Sequence, residues 1–225
     1  MSSAGILGEL SRRDFDIALE GHAAAILSVD FPEALQELEE ALLQATIPIE
    51  EIIAGGGGEH PGTQRLRRAL AQRGWPKLTF EVSKSINGVL RESTTHLVDH
   101  VRTFTNAGEV RRIALEIEWN NKDPFFDRDL ENFKRLHADG AISAGIIVTR
   151  GRSLQASLRS LVGRFVHDRQ IQNFDDLMHW GYSPTAKQRK AILARVQRSK
   201  NPQSFQESFV DKFVADKFGE ATTHW

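Results

Sequence analysis

The segment Val110-Arg111-Arg112-Ile113-Ala114-Leu115-Glu116-Ile117-Glu118-Trp119 constrains this chain more than any other. Its pattern predicts a strand over 111–119, and successive side chains of a strand face opposite ways. Ile113, Leu115 and Ile117 then share one face, while Ala114, Glu116 and Glu118 share the other. Two carboxylates side by side at the end of a core-like strand are unfavourable unless a cation or a proton compensates them. A divalent metal is the compensation that would also do chemistry.

The rest of the chain supplies the elements around this strand. Residues 32–45 read as an amphipathic helix capped by Asp30, with Pro32 in its first turn and Leu35, Leu38, Leu42 and Leu43 as its stripe. Gly55 to Gly58 form a loop with no lysine-serine pair after it, so it is not a phosphate loop. Thr63 opens a helix that runs to about Arg73 and is closed by Gly74, and strands follow at 78–82 and 96–103. Asn106-Ala107-Gly108 turns the chain into the carboxylate strand. Asp123-Pro124 starts a helix that should present Phe126, Leu130, Phe133, Leu136 and His137 on one side, ending at Gly140. The uncharged run from Ile142 to Val148 reads as a central strand covered on both faces, followed by a helix over 153–162. Further helices start at Ser183-Pro184, running to about Arg198, and at Pro202, the latter carrying Phe205, Phe209 and Phe213.

This order predicts an α/β (α+β) fold: a central mixed β-sheet flanked by helices. A single domain over 1–225 is expected, with its core at about 75–165 and the helical region 184–218 packing back on that core.

Composition removes several function classes. There are no cysteines, which excludes disulfides, thiolate zinc sites and cysteine catalysis. No apolar run approaches the roughly 18 residues of a membrane span, and no basic leader precedes an apolar segment at the start, so a cytoplasmic protein is expected. The formal net charge of -1 gives no global argument for nucleic acid. The charges are nonetheless uneven: Arg65, Arg67, Arg68 and Arg73 cluster, as do Arg150, Arg152, Arg159 and Arg164, whereas Glu33 to Glu51 is acidic. A local basic cleft is compatible with that arrangement, as are solvated helix faces.

Asp99 joins the two glutamates if strands 96–103 and 111–119 pair through the turn at 106–108. Asp99 and Glu116 could then share a Mg2+ ion, which prefers hard oxygen ligands, and Glu118 could hold or deprotonate the attacking water. These are the parts that phosphodiester hydrolysis needs. Glu92 and Glu109 are acidic substitutes for Asp99, which His96 and His100 flank. Beyond the strand, Asn120 and Asn121 suit either the reading of a base edge or a simple turn.

An aspartate, then Glu-Ile-Glu at a strand end, then a helix near Pro124 resembles the type II restriction endonucleases of the BamHI/BglII/BstYI group, within the PD-(D/E)xK nuclease superfamily. The text Glu116-Ile117-Glu118-Trp119-Asn120-Asn121 and Ile146-Ile147-Val148-Thr149-Arg150-Gly151 is similar to BglII, while glutamate at 118 is the BamHI-like choice. The resemblance covers roughly 32–165. It implies a restriction endonuclease-like fold, with Asp99, Glu116 and Glu118 as catalytic and metal-binding residues for Mg2+. Asn120, Asn121, Lys122, Thr149, Arg150 and Arg152 would be DNA-binding. The implied partner is double-stranded DNA, met by a homodimer at a short palindrome.

One departure stands out. The group has a further apolar strand after its C-terminal helices, and none follows here; a fragment, or a strand at 47–53 or 162–166, would account for that. A catalytically degenerate nuclease-fold DNA-binding module is the competing reading, and a general or repair nuclease a third.

Overall fold

A computed structural model of the chain describes residues 7–13, 15–54, 59–106, 108–118 and 123–218. In chain order its elements are α1 (Gly8–Arg12), α2 (Ala23–Ala25) running on into a π-helical turn (Ile26–Asp30), α3 (Pro32–Gln44), α4 (Ile49–Ala54) and α5 (Pro61–Gln72). Four strands follow, β1 (Leu78–Ile86), β2 (Val89–Val98), β3 (His100–Asn106) and β4 (Glu109–Glu118), then α6 (Asp123–Ala138) and β5 (Ala144–Thr149). The remainder is helical: α7 (Arg152–Asp168), α8 (Phe174–His179), α9 (Ala186–Val196) and α10 (Phe205–Phe218). The chain divides into two compact units, one containing Met1–Thr46 and Gly62–Arg150, the other Ile47–Pro61 and Gly151–Trp225.

In the first unit β3, β4 and β5 form a mixed sheet with β4 in the middle. β3 pairs with it antiparallel, His100 opposite Leu115 and Val101 opposite Ala114. β5 pairs with it parallel, Gly145 beside Ala114 and Thr149 beside Glu118. β1 and β2 make a separate antiparallel hairpin, closed at Asn87-Gly88 with φ of 52° and 78°. Positive φ at both central residues is what a two-residue turn between twisted strands requires, and Asn-Gly tolerates it.

The alternation along β4 divides two apolar layers. Ile113 and Leu115 are fully buried in one, with Leu38 of α3, Leu66 and Leu70 of α5, and Trp75. Ala114 lies in the other, with Val101 and with Phe133 and Leu136 of α6. Glu37 of α3 ties the first layer together. It accepts 2.8 Å bonds from Trp75 Nε1 and from Arg102 Nε, and a 2.7 Å bond from Arg102 Nη2. A buried indole N–H and a partly buried guanidinium are thereby satisfied by one carboxylate.

Several sequence expectations need correction. Asp30 is not a cap: Phe31 precedes α3 without a side-chain bond, and Asp30 pairs with Arg111 at 3.5 Å. The strand expected at 96–103 is two strands in different sheets, broken at Asp99. Leu130 is 55 % exposed, and Asp129 takes its place on the inner side of α6. The run Ile142–Val148 gives β5, which among the described residues is an edge strand; β4 is the central one. The helix expected from Ser183-Pro184 begins at Ala186, because Thr185 is its cap and completes a capping box with Gln188. Residues 47–53 and 162–166 hold no strand, since they fall at α4 and within α7. Gly55 to Gly58 lie outside the described residues.

The second unit is an all-helical cluster among the described residues. Its core joins Ile53 of α4, Leu158, Val162 and Phe165 of α7, Leu177 of α8 and Phe209 of α10. The phenylalanines read from sequence at 205, 209 and 213 lie on α10, with Phe209 and Phe213 buried.

Candidate active site

The site is built where the two sheets of the first unit part company. β2 belongs to the hairpin and β3 to the mixed sheet, and Asp99 is the single residue between them. It is held from both sides: Val98 and His100 are 2 % and 4 % exposed, so the residue between them can only point outward from those anchors. Backbone contacts fix the neighbouring segment as well. Val101 N–H donates to Pro76 O at 2.8 Å, and His100 Nδ1 lies 3.1 Å from Trp75 O. This places Lys77 across from Asp99, with Nζ 2.7 Å from Oδ1.

One register step beyond the His100–Leu115 pair, the Asp99 N–H donates to Glu116 Oε1 at 3.3 Å. The sequence expectation that Asp99 and the Glu116–Glu118 pair would meet across this ladder is met by the geometry. The acidic substitutes are elsewhere: Glu109 is at the opposite end of β4, and Glu92 lies within the hairpin opposite Lys84. Glu116 and Glu118 are 8 % and 4 % exposed, on the face of β4 that also carries Ala114. The Glu118 main chain is pinned by Thr149, whose hydroxyl donates to Glu118 O at 2.9 Å.

The fourth carboxylate was missed in the sequence. Asp129 of α6 is 2 % exposed and lies on the helix stripe of Phe133 and Leu136, one and two turns further on. What brings α6 so close is Gly145. A Cβ at that position would stand 2.4 Å from Phe133 Cδ2, so only glycine lets the ring lie on the sheet. Asp129 Oδ1 accepts a 2.9 Å bond from Arg128, while Oδ2 has no partner; Glu118 Oε2 is likewise buried and unpartnered. The signal that could have found Asp129 was its helical spacing from Phe133 and Leu136. Lys77 gave none, since nothing local marks a lysine before a strand.

These positions set the charges. Glu116 is pushed up to about 8, first by burial, then by the charge of Asp99 and also by Asp129, against the helpful N–H of Asp99. Glu118 is raised to about 7 by burial and then by Asp129, with Arg128 opposing. Asp99 is different. Burial pushes its carboxyl up, but Lys77, with His100 and Arg67, more than offsets this and holds it below its usual value. His100 is driven below the ordinary histidine value by burial, and its Nε2 is buried without a hydrogen-bond partner. The edge therefore combines one carboxylate ready in its ionised form with others that lack compensation.

All donors here are hard oxygens, the type that suits Mg2+ or a similar divalent ion. Among the described residues no three histidine, aspartate or glutamate side chains are drawn together into a ready-made metal cluster. Of the expected DNA-contacting residues, Asn120, Asn121 and Lys122 lie outside the described residues, as does Trp119. Thr149 and Arg150 follow the end of β5 next to Glu118, and burial lowers Arg150 somewhat. Arg152 is the first residue of α7.

A mixed sheet with helices on both faces, its central strand ending in Glu-Ile-Glu beside an aspartate at a strand break, defines a restriction endonuclease-like fold. The chain matches the family "Restriction endonuclease BglII/BglIII" over residues 15–225, and it belongs to that family. It is thus a type II restriction endonuclease, a site-specific deoxyribonuclease that binds double-stranded DNA. No curated protein and no solved structure matches it. Among the described residues no helix is long and apolar enough to cross a membrane.

Proposed function

We propose that the chain hydrolyses phosphodiester bonds at a short palindromic site in double-stranded DNA, with Mg2+ as cofactor, as a cytoplasmic homodimer. The observation that carries this reading is the meeting of Asp99 and Glu116 beside Glu118 at the edge of the mixed sheet. The residues present fit a divalent ion, because the buried oxygens of Glu118 and Asp129 have no partner and Glu116 lacks a counter-charge. Asp99 and Glu116 would hold it. When bound, the ion would offset charge on the phosphate and make water a better nucleophile.

The chain's own groups do the rest. Lys77 keeps Asp99 ionised and offers positive charge to an approaching phosphate. Glu118, with its carboxyl raised to about 7, is poised to accept the proton of the attacking water near neutral pH. Asn120 and Asn121 are assigned to base edges, and Lys122, Arg150 and Arg152 to phosphates. Thr149 donates its hydroxyl proton to Glu118 O, which leaves its oxygen as an acceptor toward DNA. Loss of a bidentate base contact costs about 1–3 kcal/mol, so Asn121→Ala should weaken cognate binding while sparing non-specific binding. A homodimer matches a palindrome through its two-fold axis and brings one centre to each strand.

The test is digestion of phage DNA with and without Mg2+, followed by sequencing of the ends. Discrete fragments with one shared end sequence are expected. Binding without cutting would replace this reading with a catalytically inert DNA-binding module, and a smear would point to a general nuclease.

A further inference from the structure

The carboxylates of the site fall into two contacting pairs. Asp99 and Glu116 form one; Glu118 and Asp129 form the other, each pair close enough for a side-chain hydrogen bond if a proton were present. We propose that Glu118 and Asp129 form a cation seat of their own, taking a divalent ion beside the one that Asp99 and Glu116 would hold. This rests on the metal-dependent reading above and extends it to a residue of α6.

Three observations support the assignment. First, Glu118 Oε2 and Asp129 Oδ2 are both buried and both lack a hydrogen-bond partner. Two such oxygens on adjoining carboxylates need positive charge between them, since an unpaired buried charge is among the costliest groups a fold can hold. Second, Arg128 meets only part of that need. It binds Asp129 Oδ1 from a half-exposed position and leaves the inner oxygen bare. Third, the burial of Asp129 runs against the pattern of its own helix. Leu130 next to it is 55 % exposed, so the helix buries an aspartate where its neighbour would supply an apolar side chain. A purely structural α6 would bury the leucine and leave the aspartate in water.

The two oxygens come from separate elements, β4 and α6, each fixed independently. Thr149 holds the Glu118 main chain, and Phe133 seated over Gly145 holds the helix. Such rigid placement of bare oxygens suits an ion that takes few protein ligands and fills the remainder with water.

The experiment is calorimetric titration of the DNA-free full chain with Mn2+, with ion stoichiometry checked by the electron paramagnetic resonance of free Mn2+. Wild type is expected to take up about two ions per chain, and Asp129→Asn about one. Asp129→Leu should behave alike, and it removes the carboxylate without leaving a buried amide, so the test survives if the asparagine variant folds poorly. Glu116→Gln should lose the other ion. Should Glu116→Gln lose an ion while both Asp129 variants bind as wild type does, the Glu118–Asp129 seat is overturned and the pair merely shares a proton. Unchanged binding in all three variants would overturn the metal-centre reading itself.

Discussion

The two faces of β4 are made by the same ten residues and end in opposite states. On one face Ile113 and Leu115 are completely buried against α3, α5 and Trp75, in a layer whose polar groups are paired through Glu37. On the other, Ala114 is packed under Phe133 and Leu136, but the strand then runs on into Glu116 and Glu118, facing Asp99 and Asp129. The first face is optimised for stability. The second stores unfavourable charge in a buried place, as is common where chemistry is done. The same alternation that closes the core thus also delivers the carboxylates, and mutation should have opposite signs on the two faces.

The largest effect should come from breaking the charged face. Glu116→Gln should lower the cleavage rate by about 10²–10³-fold or more, the scale of losing one group that stabilises the transition state. DNA binding in metal-free buffer should be retained or tightened, since a negative charge near phosphate is gone. Turnover at the wild-type rate would remove Glu116 from the site. The apolar face should respond in stability instead: Leu115→Ala is expected to cost about 2–5 kcal/mol in urea unfolding, with cleavage by the folded fraction reduced far less.

A pH series sharpens the contrast. In the folded protein the Glu116 carboxyl lies at about 8 against an ordinary 4.5, so folding retains a proton that the unfolded chain has already released. Stability of the metal-free protein should then be highest below about pH 4.5 as far as this group is concerned, and should decline as pH rises toward 8. Glu116→Gln should flatten that decline, and added divalent ions should counter it. A thermal melting series in chelator that stays level from pH 5 to 8 would contradict the buried charge.

Gly145→Ala tests how α6 is brought to the sheet. The added methyl meets Phe133, an overpacking that should cost about 1–3 kcal/mol, and displacement of α6 should also slow cleavage through Asp129. Lys77→Met should have the smallest effect on stability, below about 1 kcal/mol, because both it and Asp99 are substantially exposed. Its loss should instead reduce the salt dependence of DNA binding by about one phosphate contact. An unaltered salt slope would remove Lys77 from the DNA-facing set.

Much of this was legible in the residues. The alternation in 111–119 gave the strand and the side on which each residue lies, and Asp123-Pro124 gave the start of α6. The Asp99–Glu116 approach followed from pairing through one short turn. The hairpin signal Asn87-Gly88 was equally local, yet it was passed over because the flanking residues are mostly polar and exposed, as the ends of a projecting hairpin are. Leu130 was misplaced because two residues adjacent on a helix differ by about 100°, and apolarity alone favoured the leucine.

By itself the sequence determined which side chains share a face, that a pair of carboxylates ends a buried strand, and that the chain resembles a restriction endonuclease. It did not determine what each face meets. That β4 and not β5 lies at the centre of the mixed sheet, that Asp99 stands at a break between two sheets, and that Lys77 answers it were decided by tertiary structure. So was the entry of Asp129, which depends on a ring from α6 resting on a glycine of β5. Periodicity is a property of a few neighbouring residues, whereas strand order, helix seating and the pairing of buried charges arise between segments far apart in the chain, and only packing brings those together.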